Sequence, residues 1–166
     1  ASVRDTWKLK KWYRVMAPKY FGNMEIGTTP ALSPELLIGR VMETSLYNIT
    51  GDFSQAHVLL YFQVYDVKGD QAYTMFKGHS LTRDYLRSLI RRGTSKVEGI
   101  FTVTTKDGYK IRITIDVFTR TRIKTSREKE IRKIMERIVK NKAETLTFEQ
   151  FVREAVLGKI ASEIYN

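Results

Sequence analysis

The chain has 166 residues, a mass of 19.3 kDa and a formal net charge of +11 at pH 7. This length is sufficient for one domain with a buried core, and a composition of 42% hydrophobic and 28% charged residues excludes wholesale disorder. The absence of cysteine excludes disulfides, thiolate zinc sites and a cysteine nucleophile. No apolar run approaches the roughly 18 residues of a transmembrane helix, so we expect a cytoplasmic protein with no membrane partner.

The excess positive charge is concentrated in two short segments. Residues 1–20 contain six Lys/Arg and one acidic residue, and residues 120–142 contain ten Lys/Arg and three acidic residues. The rest of the chain is close to neutral. Because localised positive charge is typical of surfaces that bind polyanions, these two segments are the candidate contacts with nucleic acid.

Six β-strands are predicted along the chain from apolar and β-branched runs. Pro18, Pro30 and Pro34 predict a long irregular loop over residues 18–34, of a length that is commonly functional or ordered by a partner. Residues 58–62 are apolar at every position, which favours a central strand covered on both faces. The predicted strands are residues 12–16, 39–46, 58–65, 72–76, 97–104 and 111–118.

The Asp107-Gly108 pair predicts a hairpin between the last two strands. A two-residue turn would place Phe101 opposite Thr114 and mix apolar with polar partners on one face. Either a bulge or a strand covered on both faces would resolve this mismatch, and both alternatives stay open.

Three helices are predicted in the remaining segments. The first covers about residues 81–91, with apolar residues at helical spacing. The second begins at the capping box Thr125-Ser126-Arg127-Glu128 and ends near residue 140, and the third begins at the capping box Thr147-Phe148-Glu149-Gln150. The residues expected to face the core are Leu81, Tyr85, Leu86, Leu89 and Ile90 in the first helix, Ile131, Ile134, Met135, Ile138 and Val139 in the second, and Phe148, Phe151, Val152, Ala155, Val156 and Ile160 in the third.

These elements predict an α+β fold: an antiparallel sheet or partly closed β-barrel with helices packed at one end, mainly C-terminal. We expect a single domain over residues 1–166. Within it, residues 1–20 form a basic N-terminal arm and the first strand, residues 35–119 a β-rich core with one helix, and residues 120–166 a basic strand end followed by two helices.

Cations at alternate positions follow the last predicted strand. On an extended backbone they would lie on one side about 6.6 Å apart, a spacing that suits successive phosphates of a nucleic-acid strand. An isolated charge run is usually a solvated strand end, but here the basic face of the next helix extends it and favours polyanion binding. The residues predicted to bind RNA are Lys8, Lys10, Lys11, Arg14, Lys19, Arg120, Arg122, Lys124, Arg127, Lys129, Arg132, Lys133 and Arg137.

Aromatic rings are interleaved with the cations of the N-terminal segment, a combination that grips phosphates and stacks on unpaired bases. Trp12 and Tyr13 lie in the first predicted strand, and we expect both in the core. Trp7 lies outside any predicted element, and for it we expect an exposed contact.

No catalytic pattern is visible in the sequence. His57 and His79 are the only histidines, and neither has the neighbours of a metal ligand or of a nucleophile. Asp84, Glu98 and Asp116 could hold Mg²⁺ in a nuclease, but scattered acids at strand positions are far more often ion-pair partners. We expect no catalytic residues, no metal, no cofactor and no small-molecule substrate.

Several longer motifs occur in order along nearly the whole chain. They are Lys11-Trp12-Tyr13-Arg14-Val15-Met16-Ala17-Pro18, Ile26-Gly27, Gly39-Arg40-Val41-Met42-Glu43-Thr44-Ser45-Leu46, Leu81-Thr82-Arg83-Asp84, Thr104-Thr105-Lys106-Asp107-Gly108-Tyr109 and Phe118-Thr119. Together they resemble the S-three-A-e (e-type S-one) family, small-subunit ribosomal proteins of archaea and eukaryotes. The resemblance implies a structural, non-enzymatic protein on the platform of the small subunit, near the 3′ end of its ribosomal RNA and the mRNA exit. The partners it implies are small-subunit ribosomal RNA and neighbouring small-subunit ribosomal proteins.

Two departures from the family pattern bear on this interpretation. Eukaryotic members carry longer basic tails at both ends, and they usually have Ile-Gly-Lys where this chain has Ile26-Gly27-Thr28. The departures therefore favour an archaeal version, or one trimmed to its ordered part. For the function, the alternative to a structural component of the ribosome is a free-standing RNA-binding translational regulator that only visits ribosomes.

Overall fold

The computed structural model describes residues 6–156 and residue 164. The chain divides into two compact units, Ala1–Arg83 and Asp84–Asn166, and the single domain expected from the sequence stays a prediction. The predicted α+β class is confirmed, because the described residues form a five-stranded sheet, a two-stranded sheet and four α-helices, of which the two longest are C-terminal. Neither sheet closes into a barrel in this part of the chain.

The first unit contains the five-stranded sheet, and all the strands predicted in this region are present. β1 (Lys11–Met16), β2 (Glu25–Ala31), β3 (Val41–Ser45), β4 (Val58–Lys68) and β5 (Gln71–Leu81) form it, and α1 (Leu46–Thr50) follows β3. The spatial order is β2-β1-β5-β4-β3, with β1 and β5 parallel and the other neighbours antiparallel. β4 and β5 pair along nearly their whole length, which extends both strands beyond their predicted ends.

Alternation along β1 places one of its faces in the core and the other outside. Tyr13 and Val15 are buried, and Val15 pairs with Ala72 of β5 in the same hydrophobic cluster. Trp12 lies opposite Pro30 of β2 and is 62% exposed. The prediction of a core position is therefore right for Tyr13 and wrong for Trp12, because adjacent residues of a strand point to opposite faces.

The predicted loop over residues 18–34 contains a strand that the sequence did not indicate. β2 pairs with β1 at the edge of the sheet and includes Gly27 and Pro30. An edge strand tolerates proline, because one side of its backbone has no neighbouring strand to which an N–H must donate. The prediction of an irregular loop is therefore wrong for these residues.

β4 contributes the largest fully buried side chain of the first unit. Four residues at alternate positions on one face, including Leu60 and Phe62, are buried, and the side chains between them are half-buried. The strand is thus covered completely on one face and partly on the other. The centroid of the Phe62 ring lies 5.3 Å from the ring centroid of Phe21 and 6.1 Å from that of Phe76.

The second unit contains the hairpin of β6 (Lys96–Thr104) and β7 (Lys110–Phe118), with α3 (Thr125–Thr145) and α4 (Phe148–Val156) after it. The hairpin loop covers residues 105–109, longer than the two-residue turn considered from the sequence. Phe101 consequently pairs with Ile113 rather than Thr114. This register joins apolar partners without a bulge, so the mismatch does not arise.

α2 (Arg83–Leu89) begins two residues later than predicted, because Leu81 is the last residue of β5. None of its residues is fully buried. Leu89 and Ile90 are 36% and 56% exposed. The prediction of a buried stripe on this helix is therefore wrong: Tyr85 and Leu86 are half-buried, Leu89 at the end of the helix is exposed, and Ile90 lies one residue beyond it.

α3 packs one face against β6. Met135, Val139 and Ala143 follow one another at four-residue spacing and are buried, as helical periodicity requires. Ile134 is 42% exposed, so the buried stripe is narrower than predicted.

The two predicted capping boxes differ in outcome. The N-cap position of α3 is Lys124, and no side chain caps it, so the box that begins at Thr125 does not form. At α4 one half of the box is present, because the backbone N–H of Thr147 donates to Oε1 of Gln150 at 3.3 Å. Phe151, Val152 and Val156 of α4 are buried as predicted, and Ile160 lies outside the described residues.

The hairpin loop supplies a further cap for α4. Oδ1 of Asp107 accepts hydrogen bonds from the Thr105 hydroxyl at 2.6 Å and from the backbone N–H of Phe148 at 2.9 Å. The Thr105 hydroxyl, assisted by the Phe148 N–H, holds the pKa of the Asp107 carboxyl below its ordinary value. A loop residue that is distant in sequence therefore fixes the start of the last described helix.

Replacing Asp107 by alanine is expected to lower the melting temperature by several degrees at neutral pH, because α4 loses an N-terminal hydrogen bond. A depressed carboxyl pKa stabilises the fold above the ordinary aspartate pKa, and this contribution is lost as the pH falls through the lower folded value. The difference between wild type and Asp107→Ala, measured by circular dichroism, should therefore shrink in acid. Asp107→Asn keeps an acceptor oxygen and should stay close to wild type at neutral pH. A difference of equal size at neutral and acid pH would contradict the role of the carboxylate.

Candidate nucleic-acid interface

Four candidate cations of the N-terminal basic segment (residues 1–20) lie on β1 and on the short 3-10 turns Thr6–Leu9 and Lys19–Phe21. The fifth, Lys10, lies between the first of these turns and β1. Arg14 Nε lies 3.4 Å from Oδ2 of Asp70, and both side chains are exposed. An exposed ion pair contributes at most about 1 kcal/mol, so phosphate can compete for Arg14. Exposed members of the set are Lys8, Lys11, Arg14 and Lys19, and Lys10 is half-buried.

Two tryptophans accompany these cations on the surface. Trp7 is 60% exposed, which confirms the expected exposure, and the Lys10 ammonium lies 4.6 Å from the centroid of its ring. Trp12 is exposed on the same face of β1 as Arg14, two residues away. Each aromatic surface thus lies within one or two residues of a cation, the arrangement needed to hold a base and its phosphate together.

The cations that follow β7 do not lie on a strand. β7 ends at Phe118, and the chain bends at Arg120 and Thr121, where the Thr119 hydroxyl donates to the Thr121 carbonyl at 2.6 Å. The prediction of an extended row is therefore wrong, because this local hydrogen bond competes with regular extension. The three predicted cations of this stretch are nevertheless exposed: Arg120, Arg122 and Lys124.

Ser95 anchors this bent stretch to the loop before β6. The Ser95 N–H donates to the Thr119 hydroxyl at 2.9 Å, and the Thr119 N–H donates to the Ser95 carbonyl at 2.9 Å. The Ile123 N–H donates to the Ser95 hydroxyl at 3.1 Å. The intervening cations therefore extend from a backbone that is held at several points.

α3 continues the positive surface. Lys129, Lys133 and Arg137 follow at four-residue spacing on the side away from β6 and are exposed. Arg132 is exposed too, but its Nε donates to the Glu98 carbonyl of β6 at 3.1 Å, so part of its guanidinium is engaged in holding α3 to the sheet. We call the exposed cations that the sequence predicted in this unit the α3 basic surface: Arg120, Arg122, Lys124, Arg127, Lys129, Arg132, Lys133 and Arg137.

Sequence reasoning missed the arginines that follow α2. Arg91 and Arg92 are exposed, and Arg91 lines the same concave surface as Arg120, with a volume of about 350 Å³. The net charge summed over residues 21–119 is close to zero, so this sum gave no sign of the two arginines. A shorter window reveals them, since residues 83–92 contain four arginines and one acid.

Two of the three acids considered for a nuclease site, Glu98 and Asp116, serve as ion-pair partners. Glu98 and Asp116 are opposite each other on β6 and β7, and Lys96 Nζ lies 3.5 Å from the first carboxylate and 4.0 Å from the second. Within the described residues no group of three or more His, Cys, Asp or Glu is placed to bind a metal ion. The helices found in the same part of the chain include none with the length and apolarity required to cross a bilayer.

Exposed cations and aromatic rings on an α+β scaffold define a basic protein suited to contact with polyanions. A family model described as the Ribosomal S3Ae family matches residues 1–166, and the chain belongs to this family. The resemblance drawn from the sequence motifs is thereby confirmed.

Archaeal relatives agree with this assignment. The chain is 59% identical over 163 residues to the small ribosomal subunit protein eS1 of Staphylothermus marinus, an overlap of 98% of this chain and 77% of the relative. It is 53% identical to the protein of that name from Desulfurococcus amylolyticus over 99% of this chain and 77% of the relative. It is 58% identical to the protein of that name from Aeropyrum pernix over 94% of this chain and 73% of the relative. The family is one of structural, non-enzymatic ribosomal proteins, in agreement with the absence of catalytic motifs from the sequence.

Proposed function

We propose that the chain is a constituent of the small ribosomal subunit that binds small-subunit ribosomal RNA through the N-terminal basic segment and the α3 basic surface. In this role it supports translation on cytoplasmic ribosomes, alongside neighbouring small-subunit proteins. The family resemblance suggests a position on the platform, near the 3′ end of the ribosomal RNA and the mRNA exit.

The exposure of the candidate cations is the observation that carries this proposal. All of the predicted RNA-binding residues except Lys10 are exposed. Phosphates repel one another where RNA helices pack closely, and cations held on a folded scaffold neutralise that repulsion while they displace condensed counterions. The isolated protein should therefore bind RNA with a steep dependence on salt concentration.

Sedimentation separates a structural component from a visiting regulator. Small subunits prepared from cells that make this protein should retain it through a high-salt wash, because an assembled component is held by several RNA helices and protein neighbours at once. Mass spectrometry of the fractions of the sedimentation gradient measures how much of this protein stays with the small subunits. Loss of the protein into the supernatant at moderate salt, with the other small-subunit proteins retained, would contradict the structural role and favour the regulator.

Trp12→Ala is expected to weaken binding to small-subunit ribosomal RNA by about tenfold, since a stacked base contributes roughly 1–3 kcal/mol. The fold should remain intact because the ring is mostly exposed. Phe53→Ala is the matched control, since Phe53 is 79% exposed in the same unit and lies outside the N-terminal basic segment. Filter binding measures both variants, and equal affinities for the two would argue against stacking on Trp12.

A further inference from the structure

A concave surface of about 350 Å³ lies between the end of α2 and the end of β7 in the second unit. Its wall combines apolar side chains with arginines and hydroxyl groups, and the described residues that line it include no acidic one. A cavity of this size is at the lower end of the range for small-ligand sites. The lining residues relevant here are Ser88, Leu89, Arg91, Thr94, Phe118 and Arg120.

The apolar part of this wall consists of a ring and an aliphatic side chain. Phe118 is half-buried at the end of β7, and Leu89 is 36% exposed at the end of α2. Leu89 belongs to the helix face that the sequence predicted to be buried. An exposed apolar surface of this kind beside cations offers a flat contact for a planar, uncharged ring.

The polar part of the wall is suited to an anion that carries hydrogen-bonding groups. The guanidinium groups of Arg91 and Arg120 supply donors and positive charge. The Ser88 hydroxyl donates to the Tyr85 carbonyl at 2.6 Å, and the Thr94 hydroxyl donates to the Arg91 carbonyl at 2.6 Å. Because each hydroxyl proton is engaged, the oxygens of Ser88 and Thr94 are left as acceptors.

We propose that this concave surface holds one unstacked nucleotide of the bound RNA, with the base against Leu89 and Phe118 and its phosphate between Arg91 and Arg120. The hydroxyl oxygens then accept from N–H groups on the edge of the base. This inference rests on the proposed function and extends it, because it assigns a nucleotide site next to the α3 basic surface. A nucleotide accounts for both halves of the wall, whereas an inorganic anion uses only the arginines.

The first test titrates the ¹⁵N-labelled full chain with the four ribonucleoside 5′-monophosphates and, separately, with inorganic phosphate. The nucleotides should shift the amide resonances of residues 88–94 and 118–120, including those at Leu89 and Phe118. Inorganic phosphate should perturb these two much less. Equal shifts from phosphate and nucleotides, or no shifts in these segments with any nucleotide, would overturn the proposal.

The second test measures binding to small-subunit ribosomal RNA. Leu89→Glu places a carboxylate where the base would lie and should weaken binding about tenfold. Ile100→Glu is the matched control, since Ile100 is 51% exposed on β6, outside the concave surface, and the change in charge is the same. If circular dichroism shows that Leu89→Glu is unfolded, Arg91→Gln, at an exposed position, takes its place.

The outcomes distinguish failure of the nucleotide site from failure of the proposed function. If wild type binds the RNA and Leu89→Glu binds as tightly as Ile100→Glu, the nucleotide site is refuted and the proposed function stands. If wild type shows no salt-dependent binding, the proposed function fails, and the nucleotide site fails with it.

Discussion

Replacing Arg120, Arg122 and Lys124 together by glutamate is expected to weaken binding to small-subunit ribosomal RNA by on the order of 100-fold at about 0.1 M salt. These cations are exposed on a stretch of backbone that Ser95 holds in place. Each phosphate contact contributes close to one unit to the slope of log affinity against log salt, so the slope should become shallower by about three. Filter binding over a series of salt concentrations measures both quantities.

The control for this variant separates local contacts from net charge. The control replaces three exposed cations that lie outside the N-terminal basic segment and the α3 basic surface: Lys68, Lys77 and Arg83. Changing them to glutamate alters the net charge by the same amount. We expect this control to retain most of the affinity and nearly all of the salt slope. Equal losses in the two triple variants would mean that the α3 basic surface acts only through overall charge. Circular dichroism should show both variants folded, since every substituted side chain is exposed.

Phe62→Ala is expected to destabilise the first unit by about 3–5 kcal/mol, the usual cost of removing a fully buried ring. Phe62 is 0% exposed and contacts the rings of Phe21 and Phe76, so its removal leaves a cavity on the buried face of β4 that these neighbours fill only in part. Urea denaturation followed by circular dichroism and tryptophan fluorescence measures the loss. Trp7 and Trp12 are the only tryptophans, so the fluorescence reports on the first unit.

Phe53→Ala provides the same chemical change at a surface position of the same unit. Phe53 is 79% exposed, and its ring makes an edge contact with Tyr47 at 5.8 Å. Its removal should cost less than about 1 kcal/mol. Similar losses for Phe53→Ala and Phe62→Ala would contradict the placement of Phe62 in the core.

Several patterns contained within a single element were predicted correctly from the sequence, although the buried stripe of α2 and the capping box at Thr125 were not. The apolar period of α3 identified Met135 and Val139 as buried. The alternation along β7 identified its strand, and the family motifs identified the ribosomal family. The positively charged segments were visible for the same reason, since charge that is consecutive in sequence stays together in any fold. In each case the determining interactions extend over only a few residues.

Features that depend on pairing between distant residues were not predicted. β2 is a strand because β1 lies beside it, and Pro30 gives no local sign of this. The choice between Trp12 and Tyr13 for the core depended on which face of β1 the rest of the sheet covers. The capping of Phe148 by Asp107 and the meeting of Arg91 with Arg120 join residues that are 41 and 29 positions apart.

The amino-acid sequence by itself determined the class, the family and the two cationic segments, because hydrophobic period, motif order and charge density are local properties. Only the tertiary structure decided which aromatic rings face solvent, where the chain bends after β7, and which arginines share the wall of a cavity. Those outcomes depend on strand register and on hydrogen bonds between distant segments, and short-range patterns do not encode them.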